Sequence, residues 1–210
     1  SGDSASAASR EWTERGNAQR MMDAHGRGLM YVRELDRWFR WSGVRWQEAH
    51  HLDIEQMAQS TLDNLWKERD GIADTASQAA FVKFAVRSQT KHMVEAMCGL
   101  AKSEASMLRS VANLDADSNL FGVGNGVVDL RTGILHDPHP DQFVTLGTDI
   151  EYDVDATAPL WDATLLDVFA GDFGMVSFFQ RLVGYMMSGQ PNEHILVIPY
   201  GNGANGKSTI

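Results

Sequence analysis

The carboxyl-terminal residues of this 210-residue chain constrain its fold most strongly, because they contain the pattern G-x-x-x-x-G-K-S from Gly201 to Ser208. The apolar run 195–198 directly precedes the pattern, and a strand that enters such a glycine-rich turn is typical of a phosphate-binding loop. The glycines let backbone N–H groups surround the phosphates, while Lys207 would contact the β- and γ-phosphates and the Ser208 hydroxyl would bind Mg²⁺. Asn-Gly repeats also occur in ordinary turns, but the strand context favours the loop. The pattern therefore predicts the start of an α/β nucleotide-binding domain.

The helix that this loop should open, and a later strand with a metal-binding Asp, are not among the 210 residues. We therefore expect the chain to be a piece of a longer protein. By itself, this piece is expected to bind ATP and Mg²⁺ poorly. Residues 1–9 are almost entirely Ser, Ala and Gly. This composition predicts a disordered linker or a cloning remnant, with natural sequence upstream of it.

The net charge of -10 is unevenly distributed along the chain. Residues 1–110 carry 15 Lys and Arg against 15 Asp and Glu, whereas residues 111–210 carry 3 against 13. Because an acidic segment repels nucleic acid, we expect any DNA contact to come from the first half. The alternating acids at 149–155 could bind a divalent cation, but the spacing lacks the glycine turn and terminal Glu of a calcium loop, so a solvated strand face is favoured.

The single cysteine, Cys98, excludes an internal disulfide and is typical of a protein from a reducing cytoplasm. Its apolar neighbours predict a small core residue rather than a nucleophile. No apolar stretch approaches the length of a membrane span, and the 210 residues contain no secretory signal. We therefore expect a cytoplasmic protein without a membrane partner.

The first half combines short strands with longer helices. Strands are predicted at 29–32, 37–41 and 44–46, where tryptophans alternate with arginines in a small antiparallel meander. Such a mixture is also typical of a surface that stacks nucleic-acid bases, although packing of the tryptophans against the sheet is favoured.

Helices are predicted at 11–23, from Leu52 to Gly71 and over 77–108, with Ser88-Gln89 and Gly99 as candidate breaks in the last. Within that region Lys83, Arg87 and Lys91 recur at every fourth position and would line one helical face. These three residues are the candidate DNA-binding residues, with a simple solvated face as the favoured alternative.

The second half begins with strands and ends with helices. A hairpin is predicted through 127–135, another strand at 143–152, and helices from Pro159 and over 173–187. His136 and His139 lie three residues apart, but Pro138 argues against the helix that a metal site at this spacing would need, and we interpret them as a surface turn.

Several ordered motifs resemble the phage and plasmid primase–helicase family, of the satellite-phage alpha and poxvirus primase–helicase type. They are LDADSNLF at 114–121, NGVVDLRTG at 125–133, FQRLVGYMMSG at 179–189 and GNGANGKST at 201–209, together with WFRWSGVRW at 38–46. The resemblance covers about residues 16–210. It implies that residues 10–157 are a helicase-associated amino-terminal domain and that residues 158–210 begin a superfamily 3 AAA+ helicase domain.

The resemblance also implies a fold, a site and partners. The fold is α+β: a mostly helical helicase-associated domain with small antiparallel sheets, then the truncated start of an α/β P-loop (AAA+) domain. The ATP phosphate loop would comprise Gly201, Gly203, Asn205, Gly206, Lys207, Ser208 and Thr209. The intact protein would use ATP and Mg²⁺ to move on single-stranded or forked DNA as a homo-hexamer, in some members with a primase domain upstream.

No catalytic residue is expected within this piece, so it is expected to be an inactive accessory region for DNA engagement or ring assembly. The alternatives are a non-enzymatic DNA- or protein-binding assembly module and an unrelated P-loop kinase or NTPase.

Overall fold

Six helices and seven strands occur in the part of the chain that the structure describes, which is residues 10–189 and 193–201 of a computed structural model. The helices are α1 (Glu14–His25), α2 (His51–Leu65), α3 (Thr75–Ser88), α4 (Lys91–Lys102), α5 (Pro159–Val168) and α6 (Phe173–Met187). The strands are β1 (Leu29–Val32), β2 (Arg37–Trp41), β3 (Trp46–Glu48), β4 (Leu108–Arg109), β5 (Leu120–Val123), β6 (Gly126–Asp129) and β7 (Ile134–His136). This composition confirms the α+β class.

The chain divides into two compact units, the first ending at Leu114 and the second beginning at Asp115. The predicted boundary at residue 157 separates the helicase-associated domain from the helicase domain of a longer protein. The division into compact units does not test that boundary, which stays a prediction. Within the described residues, none of the helices has the length and apolar character needed to cross a membrane.

The sheet of the first unit has the strand order β3-β2-β1-β4. Strands β1, β2 and β3 form the predicted antiparallel meander, with Tyr31 opposite Trp38 and Trp41 opposite Trp46. Strand β4 joins parallel to β1, with Tyr31 opposite Leu108. The sheet is therefore mixed rather than purely antiparallel. The helix predicted to reach residue 108 ends at Lys102 instead, because the chain turns there to bring β4 beside β1.

The helices of the first unit share one core with the sheet. Leu29, Tyr31 and Trp38 on the sheet belong to the same buried cluster as side chains from all four helices. The members with the largest fully buried side chains include Met21, Ile54, Leu62, Leu65, Phe81, Met97 and Met107. Trp38 and Trp46 are 6% and 4% exposed. Burial of these two rings confirms that they pack against the fold and are not free to stack on bases.

The long helical region of the first half is broken once. Helix α3 ends at Ser88 and α4 begins at Lys91, which confirms the predicted break at Ser88-Gln89. Gly99 lies inside α4, so the second predicted break is wrong. A glycine is tolerated there because α4 buries its opposite face in the core and tertiary packing outweighs the helix propensity of one residue.

The second unit contains a three-stranded antiparallel sheet with the order β5-β6-β7. Phe121 lies opposite Val128, and Val128 opposite Leu135, so the predicted hairpin is confirmed. The strand predicted at 143–152 is wrong: only an isolated bridge joins Gly122 to Gly147. Backbone hydrogen bonds also join Gly122 to Leu146 and Thr148, and Gly124 to Ile150, and side-chain bonds described below complete the attachment of this segment.

Helices α5 and α6 occupy the positions that the sequence predicts. Phe179 of α6 contacts Trp161 and Phe169, with ring centroids 6.2 and 5.6 Å apart. The run 195–198, predicted as the strand before the phosphate loop, has no strand assignment and its side chains are exposed. A parallel strand needs a neighbour for its backbone hydrogen bonds, and none of the described strands lies beside it. The start of an α/β P-loop domain is therefore not seen in the described residues.

Candidate nucleic-acid interface

The predicted phosphate loop lies almost wholly outside the described residues. Gly201 is the last residue that the structure describes, and it is exposed. Gly203, Asn205, Gly206, Lys207, Ser208 and Thr209, including the predicted Mg²⁺ ligand Ser208, lie outside the described residues. The assignment of these residues to ATP and Mg²⁺ stays a prediction based on their sequence pattern.

The three predicted DNA-binding residues are exposed but do not share one helix. Lys83 and Arg87 lie on α3, whereas Lys91 is the first residue of α4. The expectation of one continuous helical face is wrong because the chain turns at Gln89-Thr90. Lys91 has one acidic neighbour, with its Nζ 3.6 Å from a carboxylate oxygen of Glu95. Arg87 and Lys91 flank the α3–α4 turn and Lys83 lies one helical turn before Arg87, with their contacts to DNA still a prediction.

The start of α4 is electrostatically suited to an anion. Thr90 precedes the helix without a side-chain capping bond, and the first turn holds Lys91 but no acidic residue. The Thr90 hydroxyl instead donates to the carbonyl of Arg87 at 2.9 Å. Because the first N–H groups of a helix carry a partial positive charge, this end adds to the field of the nearby cations.

A groove of about 460 Å³ is lined by residues from the start of α1, from α3 and from α4. Its lining includes Trp12, Arg15, Phe84 and Arg87, with Met93 from α4. Trp12 and Phe84 are half-buried, whereas Arg15 and Arg87 are exposed. Among the described residues, neither arginine has a carboxylate within ion-pair distance. Aromatic and unpaired basic side chains therefore meet in one concave surface.

Of this set, only Arg87 belongs to the predicted DNA-binding residues. Arg15 and Trp12 lie about 70 residues earlier in the chain, so no local pattern links them to α3. Two contacts join the start of α1 and the residues before it to α3. Trp12 makes an edge contact with Phe81 of α3, with ring centroids 5.5 Å apart, and Asn17 Nδ2 of α1 donates to Ser88 Oγ at 2.9 Å.

A buried arginine of α1 fixes the segment that precedes this helix. The Arg20 guanidinium donates through Nε and Nη2 to the two carboxylate oxygens of Glu68, both at 2.7 Å. It also donates to the carbonyls of Glu11 at 3.0 Å and Arg10 at 2.9 Å, and lies 6.0 Å from the ring centroid of Phe84. Because Arg20 is only 7% exposed, these contacts hold the segment before α1 against the helical core.

The acidic residues of the family motifs in the second unit have structural partners. Asp115 has a positive φ of 48°, and its carboxylate accepts from the backbone N–H groups of Thr145 at 2.7 Å and Leu146 at 3.2 Å and from the Thr145 hydroxyl. Asn125 accepts from the N–H of Tyr152 at 2.9 Å and donates to its carbonyl at 3.0 Å. These bonds hold the segment 143–152 where a strand was predicted.

The turn after β6 is fixed by a second acidic residue. Asp129 accepts from the Arg131 backbone at 2.9 Å and from its guanidinium at 3.1 Å, and the side-chain bond is the main reason that the pKa of Asp129 is lowered. Arg131 also lies 3.4 Å from a carboxylate oxygen of Asp117. These acids therefore order a turn, and their carboxylates are already bonded within the protein.

Two further predictions concern metal and thiol chemistry. No group of three or more His, Cys, Asp or Glu side chains with metal-binding geometry occurs among the described residues, including His136 and His139. His139 instead accepts from the backbone of Asp141 at the start of a short 3-10 helix. Burial raises the pKa of Cys98 to about 11, with Glu55 adding to the effect, as expected for a core residue.

Comparison with known proteins identifies the family of the chain. Residues 18–170 match the protein family described as D5 N terminal like. The chain is also similar to a protein of Acanthamoeba polyphaga mimivirus that is provisionally named a helicase, at 26% identity over 155 residues. This similarity covers 72% of the chain but only 16% of the viral protein. The chain belongs to the D5 N-terminal-like family, the amino-terminal part of the primase–helicases that its motifs resemble.

Proposed function

We propose that this chain is the accessory region of an ATP-dependent replicative DNA helicase of a phage, prophage or plasmid-like element. The observation that carries the proposal is the order of two features: a family match over residues 18–170, then the phosphate-loop pattern at 201–208. In this proposal Lys207 contacts the ATP phosphates and Ser208 binds Mg²⁺, in a cytoplasmic protein. An unrelated P-loop kinase would leave the family match unexplained.

The region itself would engage DNA and help to assemble the helicase ring. Support for DNA engagement comes from the first unit, where Lys83, Arg87 and Lys91 are exposed at the α3–α4 turn. The acidic residues of the second half make that half a poor partner for phosphates. The intact protein would act as a homo-hexamer on single-stranded or forked DNA, with a primase domain upstream as a further proposal.

A purely protein-binding role in assembly is the second candidate. Helix α6 carries apolar side chains that remain exposed in the described structure, including Phe173, Phe178 and Met186 at 73%, 47% and 73%. Exposed apolar groups in such number favour contact with another protein surface. This role predicts self-association of the chain and little affinity for DNA.

The test uses the full-length protein that contains this chain. Wild type should hydrolyse ATP in a Mg²⁺-dependent manner with stimulation by single-stranded DNA, and Lys207→Ala should abolish hydrolysis while DNA binding persists. In parallel, charge reversal at Lys83 and Lys91 should weaken DNA binding. The slope of log affinity against log salt concentration should fall in magnitude by about 0.7 for each lost phosphate contact.

Arg27→Glu is the matched control for these charge reversals, because Arg27 is exposed and lies beyond the opposite end of α1. Hydrolysis that survives Lys207→Ala would refute the phosphate-loop assignment. Equal DNA affinity of Lys83→Glu, Lys91→Glu and Arg27→Glu would refute the α3–α4 surface, and self-association without DNA affinity would favour the assembly role.

A further inference from the structure

We infer that the groove lined by Trp12, Arg15, Phe84 and Arg87 seats a nucleotide unit of a single DNA strand. The base would stack on the aromatic side chains and the flanking phosphates would bind the two arginines. This inference rests on the proposed function, since it specifies how the accessory region engages DNA. It extends the predicted stripe of Lys83, Arg87 and Lys91 by residues at and just before the start of α1, which meet Arg87 in the groove.

The size and form of the groove fit one nucleotide of a passing strand. Its volume of about 460 Å³ lies within the range of about 300–1,000 Å³ typical of small-ligand sites. It is a groove rather than an enclosed cavity, so a polymer can enter and leave it. None of its lining residues is a glycine, and it therefore lacks the backbone cradle that typically surrounds the phosphates of a free nucleotide.

The aromatic side chains supply the stacking surface. Trp12 is held by its edge contact with Phe81, and Phe84 lies beside the buried guanidinium of Arg20. Both rings are half-buried, so each combines a fixed position with an accessible part. Stacking on such rings does not depend on base identity, and it requires unpaired bases because the bases of a duplex are already stacked on each other. The aromatic groups therefore favour a single strand over a duplex.

The charge of the groove favours a phosphate chain. Arg15 and Arg87 contribute two positive charges that no carboxylate of the described residues neutralises by direct contact, and Glu14 is the one acidic residue in the lining. Lys83 lies one turn before Arg87 on α3, and Lys91 follows at the start of α4. A strand leaving the groove would thus meet further cations.

The groove is preorganised by buried polar contacts. Asn17 and Ser88 are both fully buried and bond α1 directly to the end of α3. Arg20 holds the backbone of residues 10 and 11 immediately before Trp12. Because these contacts already fix the walls of the groove, binding would order few additional groups, which reduces the entropic cost of association.

The test compares strands of equal charge with and without bases. Anisotropy of the chain with a labelled oligothymidylate and with an abasic strand of the same length should show at least about fivefold tighter binding of the base-bearing strand. Trp12→Leu and Phe84→Leu, which keep an apolar side chain but remove the ring, should each reduce this preference. Arg15→Glu should instead weaken the binding of both strands and lower the slope of log affinity against log salt concentration by about 0.7 in magnitude.

Arg27→Glu makes the same change of charge as Arg15→Glu beyond the other end of α1, whose axis runs about 15 Å from Arg15 to His25, and should leave both affinities unchanged. Far-ultraviolet circular dichroism and melting temperature verify that each variant is folded. Should Trp12→Leu and Phe84→Leu both retain the full preference for bases, the groove is not the stacking site, even where Lys83→Glu still weakens DNA binding and upholds the proposed function. Competition by free thymidine monophosphate at the same nucleotide concentration would identify a mononucleotide site and overturn the inference. Absence of DNA binding by the full-length protein would refute both proposals.

Discussion

Replacement of Arg20 by methionine should destabilise the first unit strongly. Methionine keeps much of the apolar length of the side chain but removes all of its donors. The variant would lose two bonds to Glu68 and one each to the carbonyls of Glu11 and Arg10. It would also lose the contact of the guanidinium with the ring of Phe84.

The expected loss follows from the burial of the pair. Removing one partner of a buried ion pair typically costs about 3–5 kcal/mol in the free energy of unfolding. Arg20 is 7% exposed, but the Glu68 side chain is 39% exposed and can be hydrated once the arginine is gone. We therefore expect a loss near the lower limit, about 3 kcal/mol.

Arg10 provides a matched control within the same unit. It makes a similar two-point contact with Asp23, at 3.0 and 2.9 Å, but both side chains are exposed. Because water and salt screen exposed pairs, Arg10→Met should have a much smaller effect. Urea unfolding followed by tryptophan fluorescence is suitable, since five of the six tryptophans lie in the first unit.

The two pairs should also respond differently to salt. Raising the ionic strength should reduce the effect of Arg10→Met further and leave that of Arg20→Met nearly unchanged, because a buried pair is screened less. Equal and small losses for the two variants would show that Arg20 does not stabilise the unit through its buried bonds. The same result would weaken the argument that the groove beside α1 is preorganised.

Two other predictions concern single residues. Cys98, with a pKa of about 11, should react with iodoacetamide at pH 8 about two-hundredfold more slowly than a free cysteine, because so little of its thiol is ionised; reaction at the rate of the urea-unfolded chain would contradict its burial. Asp115→Ala should destabilise the second unit by about 2 kcal/mol and expose the amides of Thr145 and Leu146 to hydrogen exchange, since it removes their acceptor and leaves alanine at a positive φ. Asp115→Asn, which retains an acceptor oxygen and tolerates that φ, should lower the free energy of unfolding less. Equal losses for Ala and Asn would show that the retained side-chain oxygen does not hold the segment 143–152.

Much of the fold could be predicted because its signals are local. The strands at 29–32 and 37–41 and the helices near 54–66 and 173–187 follow from the period of their apolar residues. The break after Ser88 was also predicted. In each case the residues that predict the element lie within the element itself, and tertiary contacts only pack it against the others.

The failures occur where distant residues decide the local structure. Gly99 remains helical because α4 packs on the core. The segment 143–152 is held by a few backbone bonds to Gly122 and Gly124 and by the side chains of Asp115 and Asn125, not by a regular ladder. The parallel strand β4 has only two residues, and its pairing with β1 spans more than 70 positions of the chain. No periodicity within a short window contains that information.

The sequence by itself determined the family, the α+β class and the pattern of a phosphate loop, because each depends on residue types at fixed local spacing. Only the tertiary structure decided which charged side chains are exposed and lie close together. It buries Arg20, separates Lys91 from the helix of Lys83 and Arg87, and brings Arg15 and Trp12 beside Arg87. The physical reason is that burial and ion pairing depend on contacts between segments far apart in the chain, whereas helix and turn signals depend on neighbours.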